Sequence, residues 1–184
     1  MALERLQGLV HRFHLAAPNH FADWKNPTLL ELNANPTNDP NGTIFNLTCA
    51  LDTANTTFDL SDPEMDDSLS FCQESSDQEP MSDNVEIVFS AFRATAENKN
   101  AGMGAGWNTA HLAFTLLAWR GVEYFAILSI GEAPDAPFTA GDRIKMAYVV
   151  TDHGVDEIGT GENTRMTQTF GARGRVNWNK TLTA

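Results

Sequence analysis

The stretch DRIKMAYVVT at residues 142–151 sets the fold class, because hydrophobic side chains recur in it at every second position. The side chains predicted to face the core are Ile144, Met146, Tyr148 and Val150, and those predicted to face outward are Arg143, Lys145 and Ala147. Alternation with a period of two residues is typical of a β-strand with one buried face. We therefore predict a strand at residues 142–151.

Other parts of the chain show the same alternation between clusters of turn-forming residues. Residues 9–15 and 28–33 are strand candidates, and we predict further strands at residues 43–51, 85–95, 122–130, 164–170 and 175–179, so that the chain has about seven strands in all. One helix is predicted at residues 108–119, where hydrophobic side chains recur at helical spacing and Gly121 follows. Short connections favour antiparallel pairing. The predicted fold is mainly β, a single domain over residues 1–184 that forms an antiparallel β-sandwich or barrel with one flanking α-helix.

The strand predicted at residues 43–51 places Cys49 on the same face as Phe45, Leu47 and Leu51. Free cysteine behaves as a small hydrophobic residue, so we predict that Cys49 is buried. The chain has 2 cysteines, which do not make a disulfide scaffold at 184 residues. Two tryptophans, Trp107 and Trp119, are also predicted to pack in the core.

Residues 52–86 are strongly acidic, and their sequence is DTANTTFDLSDPEMDDSLSFCQESSDQEPMSDNVE. This segment contains eleven Asp or Glu residues and no Lys or Arg, in a chain of net charge −12. Its average composition is too polar for a core element. We therefore predict a long acidic loop over residues 52–84. Its apolar side chains are predicted to be buried only on contact with another subunit; they are Phe58, Leu60, Met65, Leu69 and Phe71.

The C-terminal residues 163–184 carry the opposite charge. They contain Arg165, Arg173, Arg175 and Lys180 and no acidic residue. We predict a basic C-terminal arm at residues 163–184. A chain that is acidic around residue 70 and basic at its end is suited to head-to-tail contacts with copies of itself.

Several classes of function are disfavoured by composition. A pI of about 4.6 argues against a protein that grips nucleic acid, since such proteins need clustered Lys and Arg. No stretch approaches the roughly 18 apolar residues of a membrane span, and the N-terminal residues lack the pattern of a signal peptide. We expect a soluble protein made in a reducing cytoplasm, with no membrane contact.

No catalytic, cofactor or metal site is predicted. The acids between residues 59 and 67 lack the glycine and the spacing of a calcium loop, although a bound cation stays open as an alternative. The candidate metal ligands among the histidines are His11, His14, His20 and His153, and no cysteine or acid lies at matching offsets, whereas His111 is predicted to pack on the helix face. The glycines of residues 102–106 precede the helix but lack the Gly-Lys-Ser/Thr ending of a phosphate-binding loop.

The order of short motifs resembles a known family. These motifs are NPT at 26–28, NGTIFNLTCA at 41–50, LSD at 60–62, DDS at 66–68, SFC at 70–72, FSAFR at 89–93, IG at 130–131, APFTAGD at 136–142, VTD at 150–152 and RM at 165–166. Over residues 26–178 the sequence resembles the major tail (tail tube) proteins of long, flexible-tailed phages, especially those that infect actinobacteria.

That resemblance implies a structural protein without catalysis or cofactor. Subunits of this kind form hexameric rings that stack into a hollow tube, through which DNA passes without specific binding. The resemblance also implies contacts with tape measure, tail tip and tail terminator proteins, and a place in the virion tail after assembly in the host cytoplasm. The predicted ring-stacking residues are Asp59, Asp62, Asp66, Asp67, Phe71, Arg173, Arg175 and Lys180.

Two other functions remain compatible with the sequence. One is a different virion ring protein of similar fold, such as a tail terminator, head–tail joining or baseplate protein. The other is a β-sandwich module that binds a glycan or a cation, for which exposed tryptophans would be the binding residues.

Overall fold

The computed structural model describes residues 10–34, 43–52, 54–60, 64–66, 79–82, 85–92, 112–131, 133–157 and 165–183. The strands are β1 (Val10–Ala16), β2 (Ile44–Asn46), β3 (Thr57–Leu60), β4 (Glu64–Asp66), β5 (Glu79–Ser82), β6 (Val85–Phe92), β7 (Glu123–Gly131), β8 (Arg143–Thr151), β9 (Val155–Glu157) and β10 (Arg165–Thr181). The helices are α1 (Leu29–Leu32) and α2 (residues 112–117), and a 3-10 turn spans Thr48–Ala50.

Eight of these strands form one antiparallel sheet in the order β2-β1-β7-β8-β10-β6-β3, with β9 also paired to β10. The other two, β4 and β5, form a separate two-stranded ribbon. The predicted mainly-β, antiparallel fold is confirmed. The chain has more strands than predicted, because the acidic segment itself contributes β3, β4 and β5.

The large sheet curves until its distant strands face each other. Phe13 on β1 and Phe89 on β6 are separated in the sheet by three strands, yet their rings pack edge-to-face with centroids 5.6 Å apart. Phe89 also packs against Phe170 of β10 at 5.0 Å. This first core lies inside the curve, which is the arrangement of a β-sandwich or barrel.

Helix α2 closes this first core. Its buried side chains include Leu112, Ala113 and Leu117. The helix was predicted at residues 108–119, and its first four residues lie outside the described part of the chain. Gly121 follows the helix with a φ of +82°, a left-handed conformation that glycine adopts without steric strain.

A second core covers the opposite face of β7 and β8. Phe125, Ile127 and Met146 are buried there beneath Phe21 and Leu32, which belong to the loop after β1 and to α1. The central strands are therefore buried on both faces. This differs from the prediction for residues 142–151: Ala147, assigned to the outward face, is fully buried in the first core.

The strand predicted at residues 43–51 is shorter than expected. Only Ile44–Asn46 is a strand, and the 3-10 turn follows. The Asn46 side chain causes this change: its Oδ1 accepts a hydrogen bond from the Thr48 backbone N–H at 3.0 Å, which bends the chain locally. The strand ends there although the sequence alternation continues, so Cys49 is exposed and the prediction that it is buried was wrong.

The strand predicted at residues 28–33 is a helix. Thr28 Oγ1 accepts a hydrogen bond from the Glu31 backbone N–H, and the Glu31 carboxylate accepts one from the Thr28 backbone N–H. This reciprocal pair is a capping box, and the T-x-x-E pattern that produces it is present in the sequence. Helix α1 positions Leu32 over the second core.

We expect the Thr28→Ala variant to lose about 1 kcal/mol of unfolding free energy, because it removes the capping hydrogen bond of α1. Urea denaturation monitored by circular dichroism measures this loss. The matched control is Thr183→Ala, since Thr183 is exposed and follows the last strand. Equal stability of the two variants would show that the capping box does not stabilise the fold.

The two strands predicted at residues 164–170 and 175–179 form a single strand, β10. Its pairing with β8 shifts register between Ala172 and Val176 and again between Asn177 and Lys180. Gly174 and Asn179 have φ values of +69° and +63° at these shifts. Extra residues of this kind bend a strand without ending it. The segment predicted as a basic arm therefore lies largely within the sheet.

Candidate assembly surfaces

The structure describes only part of the acidic segment predicted for ring stacking. Asp59 is exposed on β3, and the backbone of Asp66 belongs to the ribbon strand β4. Three more predicted residues, Asp62, Asp67 and Phe71, lie outside the described residues. Whether these side chains contact another subunit stays a prediction.

The structure corrects the prediction for Phe58, one of the apolar residues of the acidic segment. It was expected to be buried only by a neighbouring subunit, but it is 7% exposed in the single chain. Its ring stacks on Trp178 of β10 with centroids 5.7 Å apart. Strand β3 buries Phe58 and exposes Thr57 and Asp59, which is the pattern of a strand with one buried face.

The predicted basic residues lie along β10. Arg173 and Arg175 are exposed, and the Arg175 guanidinium lies 5.0 Å from the centre of the Tyr148 ring. Lys180 Nζ donates a hydrogen bond to Asn26 Oδ1 at 2.7 Å. Lys180 therefore ties β10 to the loop after β1, whereas the two arginines are presented on the surface.

Arg165, the first basic residue of β10, is paired within the chain. Its Nη1 lies 2.8 Å from Asp52 Oδ2, at the start of the acidic segment. A hydrogen bond from the Asn55 side chain, another from the Ala54 backbone and the charge of Arg165 together lower the pKa of Asp52, against the opposing effect of burial. One acidic–basic contact between these two segments is thus internal to the fold.

A surface cleft lies between three segments that are distant in sequence. It has a volume of about 320 Å³ and is lined by Arg120, Gly121, Val150, Thr151, Asp152, Thr169, Phe170, Gly171 and Arg173. Arg120 Nε lies 3.2 Å from Asp152 Oδ1, and Arg120 Nη1 lies 3.3 Å from His153 Nε2. Sequence patterns did not indicate this cleft, because it depends on how β8 pairs with β10.

Trp119 is the residue before Arg120, and its side chain is 69% exposed. The prediction that it packs in the core was wrong. Helix α2 ends at residue 117, so Trp119 lies in the following turn and leaves the buried face of the helix. Trp107, predicted in the same way, lies outside the described residues.

No metal centre is formed by the described residues. Among them, no group of three or more His, Cys, Asp or Glu side chains comes close enough to hold an ion. His11 and His14 lie on opposite faces of β1. His11 is exposed, whereas only 2% of His14 is exposed. Burial and the charge of Arg12 lower the pKa of His14 to about 3.

None of the described helices is both long and apolar enough to span a membrane. The described surface carries exposed arginines and an exposed tryptophan, Trp119, which are residue types enriched in protein–protein contacts. Fold and surface together define a mainly-β protein whose described surface presents residues of this kind.

Comparison with known proteins gives the family. The sequence model of a phage tail tube protein family matches residues 11–184. Searches of curated proteins and of solved structures found no match. The match covers nearly the whole chain, so the chain belongs to the phage tail tube protein family, and it is a structural component of the phage tail.

Proposed function

We propose that copies of this chain form hexameric rings, that the rings stack into a hollow tube, and that DNA passes through the tube into the host. Family membership over residues 11–184 is the observation that carries this proposal. The fold supports it, since a curved antiparallel sheet with two cores is a rigid unit that can repeat. Tape measure, tail tip and tail terminator proteins are the further partners that we propose.

The charge of the chain suits a DNA conduit. The net charge is −12, with 24 acidic and 12 basic residues. Carboxylates repel phosphates, so a tube of such subunits would let DNA slide without binding to it. The same charge makes contacts between subunits depend on the few exposed basic residues, which include Arg173 and Arg175.

Electron microscopy of the purified chain tests this function. At high concentration, and after seeding with tail tips, we expect rings and tubes by negative stain and a hexamer by native mass spectrometry. A single ring that never lengthens would favour a tail terminator or baseplate protein. Monomers alone under all these conditions would contradict the proposal.

We propose that the acidic segment makes the ring-to-ring contact. Replacing Asp62, Asp66 and Asp67 together with Asn should therefore weaken stacking more than it lowers the melting temperature of the monomer. Surface charge pairs are screened by salt, so stacking of the unaltered chain should also weaken as ionic strength rises.

The control for this experiment is Asp135→Asn, since Asp135 is exposed in the turn after β7 and outside the acidic segment. Sedimentation measures the assembled fraction and calorimetry measures the melting temperature. If the triple variant loses monomer stability and stacking in equal proportion, the acidic segment belongs to the fold and does not form the contact.

A further inference from the structure

The cleft beside Trp119 has the chemistry of a protein docking site. It presents two guanidinium groups, Arg120 and Arg173, and the Arg120 side chain is 64% exposed. Two exposed large apolar side chains lie near the lining residues in sequence: Trp119, 69% exposed, immediately precedes Arg120, and Val155, 61% exposed, follows Asp152 by three residues. Tryptophan and arginine are the residue types that contribute most to binding energy at protein interfaces.

Hydrogen bonds hold the turn that carries Trp119 and Arg120 in place. Thr151 Oγ1 donates to the Trp119 carbonyl at 2.6 Å and accepts from the Val122 backbone N–H at 2.9 Å. The Gly121 N–H donates to the Thr151 carbonyl at 2.8 Å. A preformed surface loses less conformational entropy on binding, and the backbone of the turn that carries Trp119 is held in place before a partner binds.

The chain itself contains a segment that complements this cleft. Residues 61–84 contain eight of the eleven acids of the acidic segment, no Lys or Arg, and the apolar residues Met65, Leu69 and Phe71. Guanidinium groups form paired hydrogen bonds with carboxylates, and the apolar residues match Trp119. Asp52, at the start of the acidic segment, already forms an ion pair with Arg165 of β10, with Nη1 and Oδ2 2.8 Å apart.

We propose that the cleft formed by Arg120, Phe170 and Arg173, with Trp119 beside it, receives residues 61–84 of a second copy of the chain. This inference rests on the proposed stacking function and names the surface that the acidic segment contacts. It also divides the basic residues into two groups. Arg120 and Arg173 bind the neighbouring copy, whereas Arg165 and Lys180 stabilise the fold of their own chain.

Photo-crosslinking tests the contact directly. A benzoylphenylalanine is placed at position 119 of the full chain, and tubes are grown from a mixture of unlabelled and ¹⁵N-labelled copies. Trypsin does not cut between Lys25 and Arg93, so the whole acidic segment stays in one peptide, residues 26–93. We expect crosslinks between position 119 and that peptide, in mixed light and heavy pairs. Crosslinks within one copy only, or only to other peptides, would overturn the proposal.

Charge reversal gives an independent test. The Arg120→Glu/Arg173→Glu variant should raise the protein concentration needed for tube growth by roughly tenfold or more, the change expected for the loss of two charged contacts. Monomer stability should stay nearly unchanged, because the ion pair of Arg120 with Asp152 is exposed. The control is Arg143→Glu, a reversal of an exposed arginine at the start of β8.

The two tests separate this inference from the function on which it rests. Unaltered chains that form neither rings nor tubes would contradict the proposed function. Unaltered chains that form tubes, together with a charge-reversal variant that forms them at the same concentration, would overturn only the assignment of the cleft.

Discussion

We expect the Arg12→Met variant to lose about 3 kcal/mol of unfolding free energy, the lower end of the range for removal of one partner of a buried ion pair, because the Asp142 side chain is 24% exposed. Arg12 lies on β1, and its side chain is 1% exposed. Its Nη2 lies 3.3 Å from Asp142 Oδ2, and its guanidinium stacks 4.6 Å from the centre of the Phe138 ring.

Neutral acceptors complete the surroundings of this guanidinium. Arg12 Nε donates to Ser129 Oγ at 3.0 Å, and Nη1 donates to the Ala136 carbonyl at 2.7 Å. Arg12 therefore joins β1, β7 and the turn between β7 and β8. Methionine fills similar space but leaves these buried acceptors without a donor, which is why the expected loss is large.

Urea denaturation of Arg12→Met and of Arg143→Met measures the difference, since Arg143 is exposed and its removal should have little effect. Arg12→Lys gives a further comparison. Lysine keeps the charge but lacks the planar donor set, so we expect a loss smaller than that of methionine. If Arg12→Met and Arg143→Met are equally stable, the guanidinium network does not hold these elements together.

The second large effect is the loss of stability at mildly acidic pH. Burial holds the pKa of His14 at about 3 in the folded chain, whereas an unfolded histidine has its ordinary value of 6.5. Between these two values the unfolded chain binds more protons, so acid favours unfolding. The penalty is absent above pH 6.5 and grows as pH falls towards 3. From pH 6.5 to 5 it amounts to about 2 kcal/mol, at 1.36 kcal/mol for each pH unit.

The structure explains why His14 stays neutral. Its Nδ1 is buried and has no hydrogen-bond partner among the described residues, and its ring packs against Phe138 with centroids 5.1 Å apart. Arg12 lies two residues away on the same strand and adds a positive charge. A proton on His14 would therefore place a second cation in a buried region that already contains the Arg12 guanidinium.

The test is urea denaturation of the original chain and of His14→Phe at pH 7, 6 and 5. Phenylalanine keeps an aromatic ring next to Phe138 and does not titrate. The difference between the two pH profiles measures the contribution of His14 to stability separately from those of the other histidines and the carboxylates. We expect the original chain to lose stability more steeply than the variant. Parallel profiles would show that His14 does not become buried in its neutral form on folding.

Hydrophobic alternation predicted the fold class because it records which sequence positions face the core. Strands β6, β7 and β8 were all indicated in this way. Alternation could not show that β7 and β8 are buried on both faces. Residues 17–34 cover the second face of the sheet. Their packing there does not appear as a periodic pattern in the sequence of either strand.

Two features account for the main differences between the predicted and the observed elements. They are local hydrogen bonds of side chains and a composition averaged over a whole segment. The hydrogen bond from Thr48 to Asn46 ends β2 after three residues, although the hydrophobic alternation continues to Leu51. The average composition of the acidic segment concealed β3, a four-residue strand that buries Phe58. The capping pattern of α1, Thr28 followed by Glu31, is present in the sequence, but the prediction for residues 28–33 was a strand.

The surface features were predictable to different degrees. Charge distribution drew attention to the acidic segment and to the basic residues of β10, and their role in stacking stays a prediction. The cleft was not predictable, because Arg120, Asp152 and Arg173 meet only through the pairing of β8 with β10. Trp119 is exposed because helix α2 ends at residue 117 and Trp119 lies in the turn that follows.

The most direct test of the central claim is cryo-electron microscopy of the concentrated full chain, with native mass spectrometry of the same sample. The account predicts rings of six copies stacked into hollow tubes, with the acidic segment of one ring seated beside Trp119 of the next. Monomers without rings or tubes, even after seeding with tail tips, would contradict it.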